Sequence, residues 1–358
     1  MVLAVLLVGG VVAAVVLGRQ DRQDPQNEDK GTATKTVQGV IGSEKADFFA
    51  DPAVVKALAA KGFTVKTETS GSWAMEDLAL KGYDFAFPSS QAPADQLAEK
   101  YHVRQPLPRP FYSPLVVVAH RSAADVLAAN GLATLDGKNR GTLKMAAYLD
   151  AAAHDRTWQQ LKGAEKHTEL TGTLYITSTD PESSNSGALY LAAASYVANG
   201  GKVVASTADI DRTAPLMHKL ISVQGAQQSS SDGPFRDFIS GAGNPLVLVY
   251  ESQVATLLNE QHSVDDLVVL YPDTLVNSDH TVVPLTDAGR QLGDLLSTDP
   301  TLRRLAVKYG FRPQGDTTEF VAATAGQTAY LNQKLTGVRQ APVPTSEVLH
   351  EMARRARG

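Results

Sequence analysis

The sequence predicts an α/β protein of two domains joined by crossing strands. Two observations carry this. From Val37 onward, short apolar runs alternate with segments of helical periodicity, the pattern that builds parallel sheets covered by helices. In mid-chain, Leu115, Val116, Val117, Val118 and Ala119 form an unbroken apolar strand behind the proline-rich entry Pro106, Pro108 and Pro110, which reads as a crossing from one domain to the next. At 358 residues the chain is long enough for two compact domains.

Residues 1–18 read as a membrane anchor or signal segment. Residues 2–17 are apolar apart from glycines, and no charge precedes Arg19. With no charged leader and no clear small–x–small cleavage pattern, an uncleaved anchor is expected. Residues 19–36 are polar and charged, with too few apolar side chains to pack, and read as a linker. The first domain then opens with a strand at 37–41, a turn at 42–45, and a helix started by Asp51 as N-cap and Pro52 at the first helical position. A strand at 63–69 leads through Ser70, Gly71 and Ser72 into a helix expected over 73–81. A third strand at 83–87 leads through Pro88, Ser89 and Ser90 into another helix. In a parallel sheet the serine turns after the three strands, with Ser43, Ser70 and Ser89, gather at the carboxyl edge, where ligands bind.

Beyond the crossing, helices are expected at about 122–129 and 144–162, followed by a short strand at 174–176. Residues 177–187 are rich in hydroxyls: Thr177, Ser178, Thr179, Ser183, Ser184, Asn185 and Ser186 precede the small-residue helix 188–197. The first N–H groups of a helix lack intrahelical partners and carry partial positive charge. Serines there serve either as caps or as ligand contacts, and the residues alone leave both open. A helix at about 210–222, a Ser/Gln loop at 227–233, a strand at 245–250, a helix from Glu251 and a strand at 267–272 complete the domain. Residues 282–285 rejoin the first sheet, and helices at about 286–297 and 299–309 close it. The expected division is thus residues 37–115 with 271–313 for the first lobe and 116–270 for the second. Residues 314–358 form a C-terminal extension with a helical stretch at 317–325 and a last short helix, read as a solvated basic tail ending in Arg354, Arg355 and Arg357.

Composition excludes several functions. The net charge of -5 gives no basic footprint for nucleic acid. The absence of cysteine rules out disulfides, thiolate metal sites, cysteine nucleophiles and a lipid-modified N-terminal cysteine. The sequence has no Gly-x-Ser-x-Gly elbow, no Gly-x-x-x-x-Gly-Lys-Ser/Thr loop and no His-Glu-x-x-His motif. Histidines such as His102, His154, His218 and His280 fall without ligand spacing. No catalytic residue, metal or cofactor is therefore assigned.

Several segments, in their order and spacing, resemble a known family. These are Ile41-Gly42-Ser43, Thr69-Ser70-Gly71-Ser72, Thr179-Asp180-Pro181 leading into Ser184-Asn185-Ser186-Gly187, Val249-Tyr250-Glu251, and Lys308-Tyr309-Gly310-Phe311. Over roughly residues 37–313 the chain resembles type II extracellular solute-binding proteins of ABC transporters, and most closely the molybdate-binding-protein-like group. The resemblance implies a two-lobed type II periplasmic-binding-protein-like fold, each lobe a mixed sheet flanked by helices, with the two crossing segments as hinge. It implies that Ser43 and Ser70 offer hydroxyls to an oxyanion from the first lobe and that Tyr250 donates from the second. It places the turn of Ser183, Ser184, Asn185 and Ser186 where main-chain donors meet the ligand. Gly71, Ser72, Ser89, Thr179 and Glu251 complete the expected lining. The implied function is capture of a small polar ligand, an oxyanion such as molybdate, on the extracytoplasmic face of the cell membrane and its delivery to ABC permease subunits. A sensor or adaptor on the same fold is an alternative. If Asp180, Glu182 and Glu251 face the cleft, a cationic or zwitterionic organic solute fits instead, and Glu251 with Asp180 would be the acid/base pair of an enzyme.

Overall fold

A computed structural model of the chain describes residues 34–260 and 264–358. The expected anchor and most of the expected linker lie outside the described residues. Among the described residues no helix is long and apolar enough to cross a membrane. In chain order the strands are β1 (Lys35–Ile41), β2 (Phe63–Thr69), β3 (Phe85–Phe87), β4 (Phe111–His120), β5 (Ala133–Leu135), β6 (Arg140–Leu143), β7 (Leu246–Tyr250), β8 (Leu267–Pro272), β9 (Thr274–Leu275), β10 (Asn277–His280), β11 (Val283–Pro284), β12 (Arg312–Pro313) and β13 (Arg339–Gln340).

The first sheet runs in the order β11-β3-β1-β2. β1 pairs in parallel with β2 and β3, so Ile41 stands beside both Thr69 and Phe87 and the three strands end at one level. β11, supplied by the chain after its return, joins antiparallel to β3. Gly39 sits at the centre because the Phe85 ring lies over it; a Cβ there would overlap the ring. Phe48, Phe49, Phe85, Phe87, Phe111 and Phe311 fill this lobe's core, with Phe111 and Phe311 stacked at 4.3 Å.

β4 is the element that ties the lobes together. Its first half pairs with β10 and β12, and its second half pairs antiparallel with β7 on one side and β8 on the other. A strand flanked on both sides and covered on both faces must be apolar without alternation, which is why 115–119 reads as a continuous run. β6 and β5 extend the second sheet beyond β8.

The helix Asn185–Ala198 is buried from its first residue through Ser195, so it shows no polar stripe. Its alanines let neighbouring helices approach, while Leu189, Tyr190 and Leu191 fill the second core with Tyr148 and Trp158. Tyr148 and Tyr190 share a hydrogen bond at 2.9 Å.

Four expectations are corrected. The helix expected over 73–81 is a single 3₁₀ turn, Ala74–Asp77. The helix expected over 144–162 stops at Ala153, because Asp155 takes a left-handed φ of 50° and Thr157 starts a new short turn. The segment 174–176 is not a strand: Leu174 N donates to Arg156 O and Ile176 N to the Tyr148 hydroxyl, and isolated bridges flank it, Thr173 with Thr157 and Thr177 with Val247. The C-terminal helix Ser346–Arg357 is not a solvated tail. Leu349, Met352, Ala353 and Ala356 are buried in the second core, largely against the helix Thr207–Ser222, and Arg355 pairs with Asp211 at 3.4 Å.

Candidate ligand-binding cleft

The common level of β1, β2 and β3 brings Ser43, Ser70, Ser72 and Ser89 to one edge, as the parallel register requires. Residues of the second sheet's domain face them. An inner recess of about 10 Å³ is lined by Gly42, Ser43, Glu44, Ser70, Gly71, Ser72, Ser89, Ser184, Asn185, Ser229, Ser230, Ser231 and Tyr250. A larger cavity of about 680 Å³ continues from Ser43, Glu44, Ser70 and Gly71 outward past Asp47, Gln228, Asp232, Arg236, Gln253 and Glu260.

The two faces are in contact. Trp73 N and Ala74 N both donate to Ser183 O at 3.2 Å, and a Cβ on Gly71 would overlap that carbonyl oxygen. Ser43 Oγ and Ser230 Oγ are 2.8 Å apart. Ser90 Oγ donates to Asn185 Oδ1, and Asn185 Nδ2 donates to the Tyr250 hydroxyl and to Ser278 Oγ, both at 3.1 Å. Asn185 thus binds β10's Ser278, the serine turn after β3 and Tyr250 at once.

The hydroxyls are placed at helix starts but do not all serve those helices. Ser184 and Ser231 occupy the N-cap positions of Asn185–Ala198 and Asp232–Ile239, yet neither side chain caps its own helix. Ser184 Oγ lies 3.3 Å from Ser186 Oγ, which is 2.7 Å from Thr179 Oγ1. Ser231 Oγ donates to Gln253 Oε1 at 3.0 Å. Among the described residues, Ser70 Oγ reaches only the neighbouring Gly71 O at 3.3 Å, and Ser183 Oγ is buried without a partner. Helix N-termini and neutral donors from both faces therefore converge on one volume, an arrangement chemically able to hold a polar solute without a countercharge. Thr179 and Ser186 stand one layer behind the lining, and Ser183 contributes its carbonyl to the closed interface.

One charged cluster went unread in the sequence. Lys45 is fully buried behind Glu44, with Nζ ion-paired to Glu44 Oε1, 3.1 Å from Ser89 Oγ and 3.0 Å from His280 Nδ1. Ser89 Oγ donates to Glu44 Oε1 at 2.6 Å. Burial lowers the Lys45 pKa against the pull of Glu44, and burial with Lys45 beside it holds His280 well below 6.5. His280 is therefore neutral, and its Nε2 is buried without a partner among the described residues. Burial, then Glu44, pushes the Tyr250 hydroxyl above its ordinary value, which keeps it a protonated donor.

Glu251 is a correction. Its carboxylate faces away from the lining and forms a bidentate pair with Arg312, at 2.6 and 2.8 Å, and accepts from the Tyr271 hydroxyl. Arg312 also donates to Asn332 O at 2.8 Å and Gln333 O at 2.7 Å, so the pair ties the extension to the body. Burial alone would lower the Arg312 pKa; Glu251 more than offsets this and raises it. Asp180 and Glu182 pair with Arg357 at 3.4 and 2.5 Å. The carboxylates that flank the motifs in sequence are thus occupied elsewhere. Those that line the cleft are Glu44, Asp47, Asp232 and Glu260. Asp232 carried a readable signal: Ser229, Ser230 and Ser231 before Asp232 and Pro234 repeat the hydroxyl-rich helix start of 183–187. Among the described residues no group of three or more His, Asp or Glu side chains could hold a metal ion.

No protein-family model matches the sequence, and no curated protein sequence matches it. Solved structures match the fold. The sulfate-binding protein SubI from Mycobacterium tuberculosis H37Rv aligns with TM-score 0.56 and 14% identity, over 88% of this chain and 95% of that one. A periplasmic thiamin-binding protein aligns with TM-score 0.58 and 12% identity, over 93% and 99%. The periplasmic binding protein AfuA from Actinobacillus pleuropneumoniae, with fructose-6-phosphate bound, aligns with TM-score 0.58 and 12% identity, over 90% and 97%. With an antiparallel edge strand returned to the first sheet after the second domain and one long strand shared by both lobes, the chain has the fold of the type II periplasmic solute-binding proteins.

Proposed function

We propose that this chain is an extracytoplasmic solute-binding protein that captures a small polar ligand between its lobes and delivers it to ABC permease subunits. The observation that carries the reading is the convergence of Ser43, Ser70, Ser72, Ser89, Ser184, Asn185 and Tyr250, from both lobes, on one recess. The thiamin-, sulfate- and sugar phosphate-associated neighbours support the use of such a cleft for capture, and their different ligands leave the solute open. The narrower expectation of an oxyanion such as molybdate draws its support from the neutral hydroxyls and the helix N-termini. Tethering to the cell membrane draws its support from the apolar stretch 2–17 alone. Binding without turnover fits a recess whose nearest acid, Glu44, is locked to Lys45.

A thermal-shift panel of molybdate, tungstate, sulfate, phosphate, amino acids, polyamines, thiamin and sugars tests this. A ligand of the native state raises Tm by mass action. The true ligand should lose at least tenfold in affinity with Ser43→Ala and with Ser184→Ala. If both variants bind as the parent does, the recess is not the site.

A further inference from the structure

The cleft has a charge that neutral hydroxyls do not explain. Among the described residues, the 680 Å³ cavity is lined by the acidic side chains of Glu44, Asp47 and Asp232 with Arg236 as its basic side chain. Lys45, wholly buried, pairs with Glu44 from behind and its charge also reaches Asp232. Glu44 accepts its bonds from Lys45 and Ser89 through Oε1, while Oε2 accepts no hydrogen bond from the described residues. Its side chain is 4% exposed, and that small opening is onto the cleft. Asp232 stands on the opposite lobe, at the first turn of Asp232–Ile239. Its Oδ1 accepts from Gln253 Nε2 at 2.7 Å, and it is linked back across the cleft through Ser230, whose Oγ is 3.2 Å from Asp232 Oδ2 and 2.8 Å from Ser43 Oγ.

We infer that the solute carries an ammonium group on an organic body, and that Glu44 and Asp232 hold this nitrogen from opposite lobes while the serines and Tyr250 hold its polar remainder. The inference rests on the reading of the cleft as a solute site. Two arguments favour it over a fully deprotonated oxyanion such as sulfate or molybdate. A carboxylate oxygen facing the ligand can only accept, so the ligand must donate there, and fully deprotonated sulfate or molybdate cannot. The cavity also falls in the size range, about 300 to 1,000 Å³, that encloses organic ligands. A metal cation is disfavoured by the lack of a clustered set of three ligating side chains among the described residues.

The test is calorimetric titration of the full chain with putrescine, spermidine and arginine in one arm and sulfate, phosphate and molybdate in the other. The parent should bind an amine and no anion. Asp232→Asn should weaken that binding 10- to 100-fold, and raising salt should weaken it further. Glu44→Gln should do the same; because it also strips Lys45 of its partner, Asp232→Asn is the deciding variant. If only an anion binds, or if Asp232→Asn leaves amine affinity unchanged or improved, this inference is overturned and solute capture stands. If no small molecule in the wider panel raises Tm, solute capture itself fails.

Discussion

Replacing Glu251 with glutamine separates two roles that its position in sequence confuses. The carboxylate is 0% exposed and its partner Arg312 is 1% exposed, joined by two short bonds. Losing the charge on one member of a buried pair leaves the other uncompensated, at a cost of about 3–5 kcal/mol. Unfolding entropy of about 2.1 cal/mol/K per residue gives a chain of this length about 0.7 kcal/mol/K. The expected fall in Tm is therefore about 4–7 °C. The Asn332 and Gln333 carbonyls would lose a fixed donor as well, so the extension should become easier to cleave by protease. Differential scanning calorimetry with limited proteolysis reads both effects. Ligand affinity, by contrast, should stay within about threefold of the parent, since Glu251 does not line the recess; that change is under 0.7 kcal/mol at about 1.4 kcal/mol per tenfold. A variant that keeps its Tm but loses binding would place Glu251 in the site and refute this reasoning.

Other consequences follow from the same geometry. His280 is held neutral well below its unfolded value of 6.5, so the unfolded state binds more protons as pH falls. Its contribution is complete above pH 6.5 and should decline by up to about 1.4 kcal/mol per pH unit below it; urea titrations should show that slope flattened in His280→Asn. Gly71→Ala should push against the Ser183 carbonyl and disfavour closure, weakening ligand binding about 10- to 100-fold and lowering Tm of the free protein by about 1–4 °C, because the loss of two interlobe bonds is worth about 1–3 kcal/mol. Equal affinity for Gly71→Ala would mean that closure does not require this contact. Ending the chain after Thr345 removes the buried Leu349 and Met352 at about 2 kcal/mol each and should lower stability in denaturant titration by about 4 kcal/mol or more. An unchanged midpoint would return the segment to the status of a loose tail.

Much of the fold was legible because it rests on short-range patterns. The serine turns after β1, β2 and β3 belong on one edge because each follows the carboxyl end of a parallel strand, and in one sheet those ends share a side. The misreadings share a cause: a local pattern was overruled by a distant partner. Trp73 N and Ala74 N face Ser183 across the cleft, and the turn there closes with the short bonds Glu76 N to Trp73 O and Leu78 N to Met75 O. Ile176 donates to a tyrosine hydroxyl in place of a sheet partner. The last helix looked solvated because its arginines are conspicuous and its apolar stripe is short, yet Arg355 and Arg357 find Asp211, Asp180 and Glu182 on the body.

Charge in the cleft was the part least readable, and the geometry explains why. Adjacent residues at a helix start diverge by about 100°, so proximity in sequence to a site residue argues against sharing its direction. Tyr250 enters the recess, and Glu251 therefore leaves it for Arg312. Asp180 and Glu182, in the turn before the helix Asn185–Ala198, end on its outer side with Arg357. Glu44 follows Ser43 in a 3₁₀ turn and breaks the pattern because Lys45, driven inward beneath it, draws its carboxylate back over the recess. The placement of the Glu44 carboxylate thus depends on a lysine that is itself fully buried. Lys45→Met should free the Glu44 side chain from its anchor. If Glu44 then swings outward, amine affinity should fall as it does for Glu44→Gln, whereas an anion should bind no better unless Asp232 is neutralised as well.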